Sequence, residues 1–117
     1  MLKLHHYSIE VTDVYIVKAF YISLLGFTED EKVEFAGEEI LFLRNGDFLL
    51  ELIEVNQAES PPGNVHLCFE TKNINDIMEK FLKAGIAPNE GPYILKNGWK
   101  TVFYRGHANE ILEFLEP

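Results

Sequence analysis

Two histidines and two glutamates recur at matching places in the two halves of this 117-residue sequence. His6 opens a His-Tyr-Ser-Ile-Glu segment, and His66 opens a His-Leu-Cys-Phe-Glu segment. Glu51 and Glu113 each lie within a run of apolar residues. A carboxylate flanked in this way is costly to bury unless it is paired or bound to a metal. Imidazole and carboxylate groups together suit a divalent ion such as Ni²⁺, Zn²⁺, Co²⁺, Mn²⁺ or Fe²⁺.

The elements that must position the first pair follow from local patterns. Residues 4–11 alternate apolar and polar side chains, which predicts a half-buried strand. Asp13 is then a suitable N-cap, and apolar residues at helical spacing follow it until Gly26, a glycine typical of a helix C-terminus. Three further strands are predicted over residues 27–35, 40–44 and 48–55, separated by Gly37 and by a turn at 45–47.

The same order of elements returns in the second half, after a Pro- and Gly-rich segment. A strand is predicted over residues 65–71, and Asn73 can cap a helix that ends at Gly85. Strands are then predicted around Ile86, over 101–104 and over 110–115, with a hairpin turn at Asn97 and Gly98. The prediction is an α+β fold of tandem βαβββ modules forming a cupped mixed sheet, with module 1 at about 1–56, a linker at about 57–63 and module 2 at about 64–117.

Strand periodicity separates the apolar face of each module from a second face. Tyr7, Ile9 and Val11 are expected under the first helix, so His6 points the other way. Val65, Leu67 and Phe69 form the corresponding core positions, so His66 and Cys68 face away. Cys68 is expected to be a small buried apolar residue on that face. Each module therefore offers one His and one Glu, and the predicted ligands of a single divalent ion are His6, Glu51, His66 and Glu113.

The net charge and composition argue against several classes of partner and cellular location. A formal net charge of −9 argues against nucleic acid, which needs a basic face, and against anionic membranes. The single cysteine rules out an internal disulfide and suits a reducing compartment. No stretch approaches the roughly 20 apolar residues of a membrane span, and residues 1–6 are not typical of a signal peptide. We expect a cytoplasmic protein that acts on a small molecule.

The sequence resembles the vicinal oxygen chelate superfamily, which includes the glyoxalase, bleomycin-resistance and dioxygenase proteins. The similar segments cover essentially the whole chain and are residues 5–13, 20–27, 49–53, 64–70, 103–106 and 111–114. The resemblance implies paired βαβββ modules, often completed by a homodimer. It selects His6 rather than His5 as first ligand and places Glu51, His66 and Glu113 at the other three ligand positions. A His/Glu/His/Glu set is similar to that of glyoxalase I.

Two departures concern the thiol that glyoxalase I uses. Short bacterial members carry a glutathione-contacting arginine four residues after the first ligand, where this chain has Glu10. A glutathione-contacting asparagine is replaced by Val55. The negative charge of Glu10 would repel the carboxylates of the tripeptide. A third departure is the turn at 106–109, which reads Gly-His-Ala-Asn where relatives read close to Gly-Pro-Asp-Gly.

The resemblance implies proton transfer next to a carbonyl on a small α-oxo or thiol-hemithioacetal substrate. A divalent ion would act as Lewis acid, with Glu113 as first candidate base and Glu51 as second. Two alternatives stay open. An Fe²⁺ ring-cleaving dioxygenase needs two histidines and one carboxylate, which leaves Glu51 surplus. A non-enzymatic binding or resistance protein would need no metal-ligating residues.

Overall fold

The structure is a computed structural model that describes residues 3–35, 38–56 and 65–117. The predicted linker and Gly37 lie outside the described residues. The chain divides into two compact units, Met1–Pro61 and Pro62–Pro117. Each unit has its own sheet and its own helix, so each is described by itself.

Unit 1 is a four-stranded mixed sheet with one helix. Its elements in chain order are β1 (Tyr7–Val11), α1 (Val14–Leu25), β2 (Thr28–Phe35), β3 (Glu38–Asn45) and β4 (Phe48–Glu54). The strand order in the sheet is β1-β4-β3-β2. Strand β1 runs parallel to β4, and the other neighbours are antiparallel.

Unit 2 repeats this arrangement. Its elements are β5 (His66–Glu70), α2 (Ile74–Lys83), β6 (Glu90–Ile94), β7 (Lys100–Arg105) and β8 (Ile111–Glu116). The strand order is β5-β8-β7-β6, with β5 parallel to β8. The predicted α+β fold of two βαβββ modules is confirmed.

Two predicted strands were misplaced. Strand β1 begins at Tyr7 rather than at residue 4, and Tyr7 is 43% exposed instead of lying under the helix. The strand expected around Ile86 is Glu90–Ile94. Ile86 lies three residues after the end of α2, and its N–H bonds to the carbonyl of Phe81 in the last turn of the helix at 2.9 Å. The apolar side chain that predicted a strand here therefore follows the helix terminus.

The last strand of each unit separates two kinds of side chain by alternation. Leu50 and Leu52 of β4 are fully buried, and so are Leu112 and, nearly, Phe114 of β8. Because successive side chains point to opposite faces, the residue between each apolar pair lies on the other face of the sheet. That intervening residue is Glu51 in β4 and Glu113 in β8.

Both helices begin as predicted. The Asp13 carboxylate accepts from the backbone N–H groups of Tyr15 and Ile16 at 3.1 and 3.2 Å. The Asn73 side chain accepts in the same way from two N–H groups of the first turn of α2. Helix α1 ends at Gly26, whose φ of 73° lies in the left-handed region that favours glycine.

A glutamate at the end of each last strand also bonds to a helix start. Glu54 Oε2 accepts from the N–H of Val14 at 2.9 Å. Glu116 Oε1 accepts from the N–H of Ile74 at 2.8 Å. A carboxylate at a helix N-terminus satisfies a free donor and complements the helix dipole. Each helix is thereby tied to the strand that carries the glutamate predicted to be a metal ligand in its unit.

A buried glutamate holds the turn that departs from the family pattern. Glu110 is 1% exposed, and its Oε1 accepts from the N–H of Ala108 at 3.0 Å. A Cβ added at Gly106 would lie 2.0 Å from that same oxygen. The turn before β8 therefore requires glycine at position 106 for close approach.

None of the helices in the described part of the chain is long and apolar enough to cross a membrane.

Asn73→Ala should lower the free energy of unfolding by about 1 kcal/mol, because two N–H groups lose their side-chain acceptor. Urea denaturation followed by circular dichroism measures the change. Asn75→Ala is the matched control, since Asn75 is exposed and donates its backbone N–H to the cap. Equal destabilisation by both substitutions would show that the Asn73 cap is energetically unimportant.

Candidate metal centre

In unit 1, the glutamate predicted to be a metal ligand lies on β4, between the neighbouring strands β1 and β3. Glu51 on β4 is aligned with Ser8 on β1 and with Phe42 on β3. The Ser8 hydroxyl donates to Glu51 Oε1 at 2.8 Å. The other carboxylate oxygen, Oε2, lies 3.5 Å from His6 Nε2. Only 13% of the Glu51 side chain is exposed, so the pair is set into the face of the sheet opposite α1.

His6 has a second contact through its other ring nitrogen. His5 Nδ1 lies 2.9 Å from His6 Nδ1, and the two rings meet edge to face. Both residues precede β1, so strand alternation does not force His5 to the opposite side. A hydrogen bond at one ring nitrogen fixes the tautomer and aims the other nitrogen. The contact with His5 therefore orients the His6 ring.

In unit 2, Glu113 on β8 is aligned with Cys68 on β5 and with Phe103 on β7. Its Oε1 lies 2.9 Å from His66 Nε2. Its Oε2 accepts a short hydrogen bond from the hydroxyl of Thr101. The Glu113 side chain is 14% exposed, close to the value for Glu51. The second pair is thus built like the first.

The strand register reproduces the repeat found in the sequence. The residues aligned with Glu51 are Ser8 and Phe42, and those aligned with Glu113 are Cys68 and Phe103, their counterparts in the repeat. An aromatic ring also accompanies each imidazole: ring centroids lie 5.3 Å apart for His6 and Phe42, and 5.9 Å apart for His66 and Phe103.

The predicted ligands are thus brought together as two His–Glu pairs, one in each unit. Within the described residues, no three His, Cys, Asp or Glu side chains form a group that could hold a metal ion. The donor chemistry of each pair fits a divalent ion. Two ligand atoms about 2.1 Å from one ion and at ordinary angles lie about 3.0 to 3.4 Å apart. The Nε2–Oε separations of 3.5 and 2.9 Å are close to that range.

Cys68 was predicted to be buried, but the residue is exposed. Its thiol donates a hydrogen bond to Glu113. Partial burial of the thiol, then the negative charge of Glu113 and this hydrogen bond, raise the pKa of Cys68 from 9.0 to about 11. Each of these effects favours the neutral thiol over the thiolate. Cys68 is therefore a further neighbour of the Glu113 carboxylate.

Alkylation of Cys68 by iodoacetamide at pH 8 should be slow in chelator-treated folded protein. Only the thiolate reacts, and a pKa of about 11 instead of 9.0 leaves about a hundredfold less thiolate at pH 8. Mass spectrometry compares this rate with the rate in urea. Glu113→Gln removes the negative charge, so it should lower the pKa and speed the reaction. Equal rates in folded and unfolded protein would contradict the predicted shift.

Four further residues of unit 2 lie in different settings. Lys100 pairs with Glu116 at 3.6 Å, and Trp99, beside the predicted turn, is 42% exposed. His107 lies in an exposed turn before β8. Thr101 was not singled out, although it is 2% exposed and bonds to Glu113. No sequence signal marked Thr101, because the repeat pairs it with the apolar Ile40.

Residues 3–112 match the profile of the Glyoxalase/Bleomycin resistance protein/Dioxygenase superfamily. The chain belongs to this superfamily. Its fold agrees with the resemblance seen in the sequence, and members of the family commonly bind a divalent metal.

The chain is similar to a virulence protein of Salmonella typhimurium, with 31% identity over 97 residues, which cover 77% of this chain and 65% of that protein. This chain therefore spans less than two thirds of that curated relative. A crystal structure of a virulence protein from the same organism has 28% identity, coverage of 99% and 97%, and a TM-score of 0.70.

Two other solved structures share the fold at lower identity. A lactoylglutathione lyase from Agrobacterium tumefaciens has a TM-score of 0.76 and 18% identity, with 97% of this chain and 92% of that chain covered. An antibiotic binding protein from a Streptomyces species has a TM-score of 0.83 and 18% identity, with 100% and 97% covered. The same fold therefore occurs in an enzyme and in a binding protein.

Proposed function

We propose that this protein is a metal-dependent lyase or isomerase, similar to glyoxalase I, that moves a proton next to the carbonyl of a small α-oxo or thiol-hemithioacetal substrate. The observation that carries the proposal is the pair of matched His–Glu contacts, His6 with Glu51 and His66 with Glu113. In each, an oxygen of a largely buried carboxylate lies beside an imidazole Nε2.

The four side chains would hold one divalent ion, two from each kind of unit, whether the two units belong to one chain or to two copies. Such an ion, when bound, supplies Lewis-acid polarisation of the substrate oxygens. Glu113 is the first candidate base and Glu51 the second. A base needs to reach the proton it removes, and a carboxylate oxygen beside the ligand histidine is suitably placed for a substrate bound there.

Glutathione is not the thiol that the site favours. Glu10 follows Ser8 by two residues on β1, so the two side chains lie on the same face of the strand. The face that carries Ser8 and Glu51 therefore holds an additional negative charge. A carboxylate-bearing tripeptide would be repelled by it, whereas a neutral or positively charged thiol would not.

The test begins with chelator-treated protein titrated with Ni²⁺, Zn²⁺, Co²⁺, Mn²⁺ and Fe²⁺ by calorimetry. The loaded protein is then assayed on methylglyoxal with glutathione, cysteamine and a neutral thiol. We expect metal uptake and turnover that is faster with the uncharged or cationic thiols. Failure to bind any of the five ions would overturn the proposal, and oxygen uptake on an aromatic diol would replace it with a dioxygenase.

A second candidate function is sequestration of a small apolar molecule without chemistry. Exposed aromatic side chains favour it: Tyr93 on β6 is 44% exposed, and Trp99 on the segment that joins β6 to β7 is 42% exposed. The ring centroid of Tyr93 also lies 6.5 Å from that of Phe103, the aromatic ring beside His66. Tight binding of an apolar antibiotic by metal-free protein, together with no turnover by the loaded protein, would select this function.

We further propose that the protein is a homodimer. Several large apolar side chains in the described residues are exposed to solvent in the single chain, among them Ile94 at 76%, Leu82 at 73% and Tyr15 at 69%. Exposed apolar side chains mark an association surface where they form a contiguous patch. Light scattering at micromolar concentration should give twice the chain mass, and a monomer would exclude the dimer without affecting the metal proposal.

A further inference from the structure

Each ligand glutamate has one oxygen held by a hydroxyl group. Ser8 donates to Oε1 of Glu51, so Oε2 is the oxygen beside His6 Nε2. Thr101 donates to Oε2 of Glu113, so Oε1 is the oxygen beside His66 Nε2. In both units, one carboxylate oxygen therefore contacts the hydroxyl and the other contacts the imidazole. Rotation about the terminal bond of either glutamate would break both contacts.

The two hydroxyl groups come from positions that the repeat does not relate. Ser8 lies on β1, the parallel neighbour of β4, and its repeat counterpart in unit 2 is Cys68. Thr101 lies on β7, the antiparallel neighbour of β8, and its repeat counterpart in unit 1 is Ile40, which has no donor. The same task is thus carried out from different strands, which indicates a requirement of the site rather than inheritance from a common module.

The two hydrogen bonds differ in their surroundings. Thr101 is 2% exposed and adjoins the fully buried Val102, whereas Ser8 is an exposed residue. A hydrogen bond to a charged group is stronger where water cannot compete for either partner. Glu113 also accepts a hydrogen bond from the Cys68 thiol. Glu51 has no counterpart of the Thr101 hydroxyl, because the corresponding residue in unit 1 is Ile40. The carboxylate of Glu113 is held more firmly than that of Glu51.

We propose that Thr101 and Ser8 are positioning residues, which fix the metal-facing oxygens of Glu113 and Glu51, and that Thr101 makes the larger contribution. The proposal rests on the proposed function for its metal readout. It also has a consequence in metal-free protein. An ionised carboxylate can only accept, so the 2.9 Å contact requires the proton of His66 on Nε2. Loss of the Thr101 bond frees Glu113 to turn away, and this tautomer then loses its support.

The first measurement is Ni²⁺ affinity by calorimetry. Thr101→Val keeps the shape of the side chain and removes the hydroxyl, and we expect about 10- to 100-fold weaker binding, the usual cost of losing a partner that orients a ligand. Thr101→Ser keeps the hydroxyl and should bind close to wild type. Ser8→Ala should weaken binding less than Thr101→Val does.

A matched control uses another strand threonine. Thr28 on β2 has a hydroxyl directed at the Arg44 carbonyl at 3.5 Å rather than at a carboxylate. Thr28→Val should leave Ni²⁺ affinity unchanged. In Co²⁺-loaded protein, the visible absorption spectrum should change in Thr101→Val and should be retained in Thr101→Ser, because a displaced carboxylate oxygen alters the ligand field.

The second measurement needs no metal. Long-range ¹⁵N–¹H spectra of chelator-treated protein report the tautomer of His66, which should be the Nε2–H form in wild type and Thr101→Ser and a mixture in Thr101→Val. The proposal is wrong if Thr101→Val keeps both the tautomer and the Ni²⁺ affinity, or if Thr101→Ser is impaired as much as Thr101→Val. If wild type binds no ion, the proposed function fails, and the tautomer of Thr101→Val alone decides whether Thr101 positions Glu113.

Discussion

Glu113→Gln in fully metal-loaded protein should reduce turnover by about 10²- to 10⁴-fold, the usual contribution of a general base, while metal affinity falls far less. Glutamine retains the size of the side chain and one oxygen. The Thr101 hydroxyl can reverse and accept from the new amide N–H, so that the amide oxygen can still face His66. The variant therefore removes the base with little change of shape. Turnover is measured on whichever thiol hemithioacetal the wild type consumes.

The matched comparison is Glu51→Gln, since Glu51 is the repeat counterpart of Glu113. Glu79→Gln, on the exposed side of α2, controls for the general loss of a charge. A Glu113→Gln variant that turns over as fast as the wild type would transfer the role of base to Glu51. Full activity in both variants would leave no carboxylate base, and the binding function would then be favoured.

His66→Ala should weaken divalent-metal binding by more than about a hundredfold, because removal of a direct ligand costs more than removal of a group that orients one. The substitution also leaves Glu113 Oε1 without the imidazole that lies 2.9 Å away. Two carboxylates and one imidazole would remain from the four proposed ligands. Calorimetry with Ni²⁺ on chelator-treated protein gives the affinity directly.

His107→Ala provides the control, since it removes an imidazole from an exposed turn before β8. It should bind Ni²⁺ as wild type does. His5→Ala should fall between the two, because it removes only the ring that contacts His6 Nδ1 at 2.9 Å. A His66→Ala variant with wild-type affinity would refute the four-ligand proposal.

Local rules predicted the elements well where one residue governs a boundary. Asp13 and Asn73 cap the helices because their side-chain oxygens reach two free N–H groups, and Gly26 ends α1 because it adopts positive φ. The same rules misplaced β6. Ile86 is apolar, but it follows a helix terminus whose hydrogen bonds continue through its own N–H. An apolar residue beside a helix end cannot be distinguished from a strand residue by pattern alone.

The repeat predicted one His and one Glu on the same side of each module, and in the structure these two residues of each unit contact each other. It could not predict the groups that surround them. Thr101 reaches Glu113 from a position where the other module has Ile40, so internal comparison points away from it. His5 contacts His6 because the strand begins two residues after His5, which strand alternation did not anticipate. Asymmetric contacts of this kind depend on tertiary structure.

One strand in each unit carries the carboxylate beside the histidine on one face and a helix attachment on the other. Glu51 and Glu54 are three residues apart on β4, and Glu113 and Glu116 are three apart on β8, so the members of each pair lie on opposite faces. Inserting or deleting a single residue before the first glutamate of either strand would exchange the faces of both glutamates, whereas such a change between them would bring both glutamates to the same face. We therefore expect the lengths of β4 and β8 to be constrained, because either change separates the carboxylate beside the histidine from that histidine or the carboxylate at the helix start from that helix.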